Sequence, residues 1–135
     1  MKRYLLDTDI SSYVIRSRPA RVRERFQRLG TGQLAVSAIT EAELLYGARR
    51  AGARAGVRAD VEDFLRRLEV FDWNHQAAGH YADIRAQLER NGKLIGNMDL
   101  LIAAHARCLG AVLVTNNERH FRRVPHLTVE NWALP

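Results

Sequence analysis

The chain has 135 residues, enough to bury a core without disulfide or metal staples, and its 47% apolar and 27% charged residues are a globular balance. The formal net charge of +6 rests almost wholly on arginine, because Lys2 and Lys93 are the only lysines; a planar guanidinium suits phosphate, so nucleic acid is a natural partner, although arginine spread over every solvated face gives the same total. No apolar run has the length of a membrane span, Lys2 and Arg3 precede too short an apolar stretch for a secretory signal, and the lone Cys108 suits a reducing cytoplasm.

In chain order, RYLLD (3–7) has strand length and ends in an acid, with Asp9 close behind. Aspartate is a favoured N-cap for a helix starting near Ile10, but one cap accounts for only one of the two acids. In PARVRERFQRL, Val22, Phe26 and Leu29 share one helix face with arginines around it; Pro19 opens this helix and Gly30 closes it. GTGQLA (30–35) has the spacing of a dinucleotide-binding turn, yet it follows a helix and precedes a strand, the reverse context, and reads as a helix stop.

QLAVS (33–37) is the second strand. The segment 37–50 is the helix after it, with Ser37 as N-cap and Ile39, Ala42, Leu45 and Tyr46 as its apolar stripe. Glu41 falls off that stripe, whereas Glu43 lies on or beside the buried face, where an arginine partner is the ordinary explanation. RRAGARAGVRAD (49–60) reads as a helix–helix connection, FLRRL (64–68) as helix and LEVFD (68–72) as the third strand. AAGHYADIRAQLER (77–90) is a helix stopped by Asn91-Gly92. GNMDLLIAAHA (96–106) opens a helix that is apolar all round and ends at Gly110, with Asp99 in the first turn. The helix dipole favours an acid there and Asn97 can cap it, but burial of the helix turns Asp99 toward the interior, where an unpaired charge is costly. AVLVT (111–115) and LTVEN (127–131) complete the strands.

Strands alternating with helices predict an α/β fold: one domain over 1–135 with a central parallel sheet of four to five strands flanked by helices. Ligands of such sheets bind beyond the carboxyl ends of the strands. The residues there are Asp7-Thr8-Asp9, Ser37, Asp72 and Thr115-Asn116-Asn117. In a doubly wound sheet Asp7, Glu43 and Asp99 can converge on one crevice. Unpaired carboxylates held together require a hard divalent cation, and an oxygen-only set points to Mg²⁺ or Mn²⁺. Zinc is not expected, because the five histidines lack ligand spacing and read as surface or partly buried residues. A dication on carboxylates in a basic protein suggests phosphodiester cleavage, the metal activating a bound water for attack.

With these residues in place, the chain resembles the PIN-domain ribonucleases, specifically the VapC-type toxins of bacterial toxin–antitoxin pairs. The resemblance runs nearly end to end, through LLDTDI, SAITEAELLYGA, GNMDLLIAAHA and VLVTNNERHFRRVPHLTVENW. It implies a homodimeric, Mg²⁺-dependent endoribonuclease of the cytoplasm, acting on RNA and inhibited by a cognate VapB-type antitoxin. Asp7 and Asp99 then correspond to metal-binding aspartates, Glu43 to the third acid, and Thr8 and Thr115 to hydroxyls near the metal. The chain departs from the pattern where the family often has a fourth acid: Asn117 stands there, and His120 precedes Phe121 where an acid is also common. An amide accepts a hydrogen bond from a metal-bound water but brings no charge, so the number of metal ions, one or two, stays open.

Two rivals share parts of this pattern. DTD after one strand and VLVTNN after another resemble the haloacid-dehalogenase phosphatases, but no lysine follows Thr115 and only Glu118 and Glu130 follow as acids, which lacks that chemistry's inventory. A PIN-like binding module with weak or lost catalysis, acting through its antitoxin, is the other. Candidate RNA contacts are Arg21, Arg25 and Arg28 on one helix and the pair Arg122–Arg123, although arginines spread over the whole chain make a solvated face the more ordinary reading of each.

Overall fold

Leu5 and Leu6 are neighbours in sequence, fully buried, and face opposite sides of a sheet. That alternation is the strand period of two, and it requires apolar cover on both faces. The computed structural model describes residues 2–135. Strands β1 (Tyr4–Leu6), β2 (Leu34–Ser37), β3 (Glu69–Phe71), β4 (Val112–Val114) and β5 (Val129–Glu130) form one parallel sheet in the order β3-β2-β1-β4-β5. The central β1 pairs Leu5 with Ala35 on one side and with Leu113 on the other.

Leu5, Ala35 and Leu113 point to the face covered by α5 (His75–Arg90) and α6 (Asn97–Leu109), where Ile84, Leu88, Leu100 and Ile102 pack. Tyr4, Leu6, Val36 and Val114 point to the other face, under α1 (Thr8–Arg16), α2 (Ala20–Arg28), α3 (Ala38–Arg49) and α4 (Val57–Arg66). A short α7 (Glu118–Phe121) drops Phe121 into the first of these layers. Truncating a fully buried side chain such as Leu6 or Leu113 to alanine costs about 2–5 kcal/mol at sites of this kind.

From β1 the chain winds outward through β2 to β3, and then returns to the other side of β1 for β4 and β5. The switch point lies between β1 and β4, and a crevice opens at their carboxyl ends. The residues leaving these two strands there are Asp7 and Thr115, and the Asp7 amide donates to Val114 O at 3.0 Å.

All five strands stand where the sequence predicts them, trimmed at their ends. Two helical expectations need correction. The stretch 49–60 is not all connection: Gly56, at φ +84°, starts α4 at Val57, and Val57, Val61 and Phe64 give it the helical spacing that the surrounding arginines and alanines obscured. The stripe on α3 is also rotated. Ala42 is exposed and Tyr46 is 70% exposed, while Thr40 and Leu44 are the buried pair. A threonine takes a core position there because its hydroxyl finds a polar partner, which hydropathy spacing alone does not reveal.

Candidate active site

Asp7 is built into the fold by four contacts. It is the N-cap of α1, with Oδ1 accepting from Ile10 N at 2.8 Å. Its carbonyl accepts from the buried Ser11 hydroxyl at 2.7 Å, and its amide is tied to β4. The fully buried Thr115 hydroxyl donates to its carboxylate. Thr115 Oγ1 in turn accepts from Asn117 N at 2.9 Å, so the turn after β4 orients the hydroxyl that holds Asp7. Capping, the ordinary explanation of this acid, is therefore true but incomplete. A cap normally faces water, whereas Asp7 is 4% exposed, and burial pushes its carboxyl up to about 7 against the pull of Thr115 and Ile10 N. Asp9 and Asp99 push in the same direction.

Asp99, in the first turn of α6, is only half-buried, less interior than its helix suggested. Burial raises its pKa first and Asp9 next; His120 opposes, and Glu43 adds a smaller push upward. Glu43 is held by Thr8, whose hydroxyl donates to Oε1 at 2.5 Å and pairs with the Thr40 hydroxyl at 3.2 Å. Asp7, Asp9, Glu43 and Asp99 thus share one field. None of them takes part in any ion pair found among the described residues, although the chain is rich in arginine. The arginine partner expected as the ordinary reading of Glu43 is not there.

Where a fourth acid was sought, Asn117 Nδ2 lies 2.9 Å from His120 Nδ1, and His120 is close enough to Asp99 to lower its pKa. An amide–imidazole pair replaces the carboxylate. Asp72 is exposed, and its backbone engages His105. His105 itself corrects the reading of the histidines as surface or partly buried: it is 2% exposed, and its Nδ1 lies 2.7 Å from Ser37 Oγ. Ser37 Oγ also accepts from Ile39 N at 3.0 Å as the N-cap of α3. His105 therefore ties the helix carrying Asp99 to the start of the helix carrying Glu43, and burial keeps its pKa low.

Sequence reasoning missed three contributors. Asp9 carries no assigned role in the sequence reading, Thr40 lies off the expected stripe, and His105 is grouped there with the surface or partly buried histidines. A visible signal existed for Thr40, which stands three residues before Glu43 on one helix face.

The expected RNA-contact arginines lie elsewhere. Arg21, Arg25 and Arg28 line a cleft of about 340 Å³ against the C-terminal segment. Arg21 donates to Ala133 O at 2.9 Å, while Arg25 pairs with Glu130 at 3.5 Å and lies over the Trp132 ring. Arg122 reaches Glu118 at 3.8 Å, and Arg123 reaches the Lys93 and Leu94 carbonyls at 3.4 Å. Protein groups engage all of these except Arg28.

The family model described as PIN domain matches residues 4–127. The chain is 47% identical over 133 residues to Ribonuclease VapC2 of Haemophilus influenzae, covering 98% of this chain and all of that one. It is 42% identical, with the same coverage, to the tRNA(fMet)-specific endonuclease VapC of Shigella flexneri. The chain belongs to the VapC ribonucleases of the PIN-domain family. The crystal structure of DNA-bound VapBC from Salmonella typhimurium superimposes with a TM-score of 0.90 at 44% identity, over 98% of this chain and 99% of that one. The expected α/β fold is thereby shown, and no helix among the described residues is long and apolar enough to cross a membrane.

PIN-domain ribonucleases are generally metal-dependent. The donors here are oxygens without a guanidinium partner, and two of the carboxyls are held above their ordinary pKa values, the electrostatic condition that a bound dication relieves. No group of three or more His, Cys, Asp or Glu side chains among the described residues forms a ready cage. Ions that keep most of their water need no cage, because one or two carboxylates suffice.

Proposed function

We propose that residues 1–135 act as a single nuclease domain, a cytoplasmic Mg²⁺-dependent endoribonuclease toxin neutralised by a cognate VapB-type antitoxin. The observation that carries this reading is the set of acids at the β1/β4 switch point that an arginine-rich chain leaves without arginine. Asp7 and Asp99 are the metal ligands, with Mn²⁺ able to replace Mg²⁺ on the same oxygens. The ion supplies Lewis acidity toward the scissile phosphate and its attacking water.

The chain's own residues do the rest. Thr115 fixes the Asp7 carboxylate and Asn117 fixes Thr115. Thr8 holds Glu43, which orients the water and accepts its proton. Asn117, held by His120, contributes hydrogen bonding where other members carry charge, a set that favours one ion over two. The apolar Tyr46, at 70% exposure, and Met98, at 46%, are surface that a second copy would cover in a homodimer.

RNA is the substrate, and the name of the Shigella flexneri relative makes initiator tRNA the first one to try. Purified protein with Mg²⁺ is expected to cut RNA internally, to stop with EDTA, and to stop when the antitoxin encoded beside it is added. No cleavage with either ion, with antitoxin binding retained, would leave the binding-module reading, which the Asn117–His120 replacement favours.

A further inference from the structure

The three acids of the proposed reading are not held alike. Thr115 donates to the Asp7 carboxylate and Thr8 to that of Glu43. Asp99 has no hydrogen bond of its own among the described residues, so its position is that of the helix turn carrying it. That turn starts without a cap. Asn97, expected to supply one, does not: Gly96 is the N-cap of α6, and no side chain bonds the free N–H groups of the first turn. A helix start of this kind frays unless contacts from outside hold it.

The Asn97 side chain engages α5 instead. Tyr81 Oη donates to Asn97 Oδ1 at 2.5 Å. Arg85 Nη1 donates to the same phenol at 2.8 Å, and Glu89 Oε1 accepts from Arg85 Nε at 2.9 Å. Tyr81, Arg85 and Glu89 follow one another a turn apart on α5, so they form a row on one face. The guanidinium occupies the phenol oxygen and polarises it, which leaves the phenol proton to Asn97 as a strengthened donor. Beyond Asp99, Trp73 Nε1 donates to Leu101 O at 2.9 Å. The Trp73 and Tyr81 rings meet edge to face, with centroids 6.3 Å apart. Asp99 is thus bracketed, with Asn97 gripped on one side and Leu101 on the other by two rings that brace each other. Arg85, Glu89 and Asn97 are exposed, and exposed ion pairs contribute little to stability, so the row serves placement more than folding.

We propose that Tyr81 is a positioning residue for RNA cleavage: its hydroxyl, acting through Asn97, fixes the first turn of α6 and with it the Asp99 carboxylate. This rests on the reading of Asp99 as a metal ligand in an endoribonuclease, and names the part of the chain that aims it. A carboxylate displaced at the site raises the barrier without altering how RNA is held elsewhere.

The test uses the full chain, a fluorogenic RNA oligonucleotide with Mg²⁺, and Mn²⁺ titration of the RNA-free protein followed by electron paramagnetic resonance. Tyr81→Phe keeps the ring against Trp73 and removes only the hydroxyl. It is expected to lower kcat about tenfold and to weaken Mn²⁺ binding about tenfold, the low end for losing a group that orients a ligand, with KM for RNA and the melting temperature near parental. Asn97→Ala cuts the same link from the other side and should have the same effect. The double variant should be no worse than either single one, because two groups acting through one contact are not additive.

Parental kcat and Mn²⁺ affinity in Tyr81→Phe overturn the inference, and a lowered melting temperature with both parental overturns it too, because Tyr81 would then serve packing alone. Losses that multiply in the double variant also overturn it, since the two residues would act separately. If the parent protein cleaves RNA and the variants match it, the endoribonuclease reading stands and only the positioning role falls. A parent protein that cleaves no RNA brings down the reading itself, and the positioning role with it.

Discussion

Acids on the outer helices and acids at the carboxyl edge of the sheet meet the same arginine-rich chain with opposite results. On the outside, Asp60, Glu62, Asp63, Asp83 and Glu89 each find a guanidinium, several of them one helical turn away. Arg107 beside Asp83 holds that carboxyl below its ordinary range. At the edge, Asp7 and Asp99 are held above theirs, and their charged neighbours are chiefly other acids. Neither residue type nor a shortage of cations makes the difference. The edge acids are placed by a strand end and two helix starts, and none of the ion pairs found among the described residues includes them. A charge left unbalanced by the protein is one that a ligand must balance, and that is where a phosphodiesterase needs its ion.

The largest effect expected from breaking this contrast is at Asp99. Asp99→Asn should reduce RNA cleavage more than about 100-fold, beyond the usual cost of disturbing a residue that only supports a ligand, while the circular dichroism spectrum stays parental. Cleavage by this variant at the parental rate with Mg²⁺ would remove the metal assignment. Thr115→Val should come next, with a loss of about 10- to 100-fold, because it frees the Asp7 carboxylate without removing it. A loss confined to kcat, with KM for RNA unchanged, would separate positioning from binding.

His105→Leu leaves Ser37 and the Asp72 carbonyl short of a buried partner and should cost about 1–3 kcal/mol in denaturant unfolding. It should also lower cleavage, since the tie between α3 and α6 is lost; unfolding free energy equal to the parent would show that the tie carries no load.

The metal-free chain should also show a pH dependence of stability. Asp7 titrates at about 7 in the folded state and near about 3.9 unfolded, so the folded state binds its proton more tightly. The stability this contributes is fully present below about pH 4 and is lost as the pH rises through about 7. Asp7→Asn retains a capping side chain without that titration. Its unfolding free energy should therefore change less than the parent's across the same window, and an identical profile would refute the burial of a titrating Asp7. The smallest expected effect is on the outside, where Asp83→Asn should leave RNA cleavage at the parental level. A clear loss there would erase the distinction between the two sets of acids.

Much of this was legible in the residues. The five strands declared themselves as short apolar runs ended by polar residues, and Asp7 and Asp99 stood out because one follows a buried strand and the other opens a buried helix. What escaped was set by long-range contact. Thr40 occupies a core position because Thr8, far away in the chain, reaches its hydroxyl. His105 is internal because Ser37 meets its ring. The Arg21, Arg25 and Arg28 face looked free for RNA, yet the C-terminal segment folds over it and engages two of the three. Partnership across the chain leaves no trace in local spacing, so reading one helix at a time overstates how much of its surface is available.

The Asp7 cap carries a further consequence. The same carboxylate begins α1, abuts the central strand and grips the proposed ion, so occupancy of the site and persistence of the native chain are thermodynamically one equilibrium. Saturating the ion at a hundred times its dissociation constant would add about 2.7 kcal/mol to unfolding. In a cell, a molecule stripped of its ion would then be both silent and easier prey for proteases, and turnover would fall first on the copies that cannot cut.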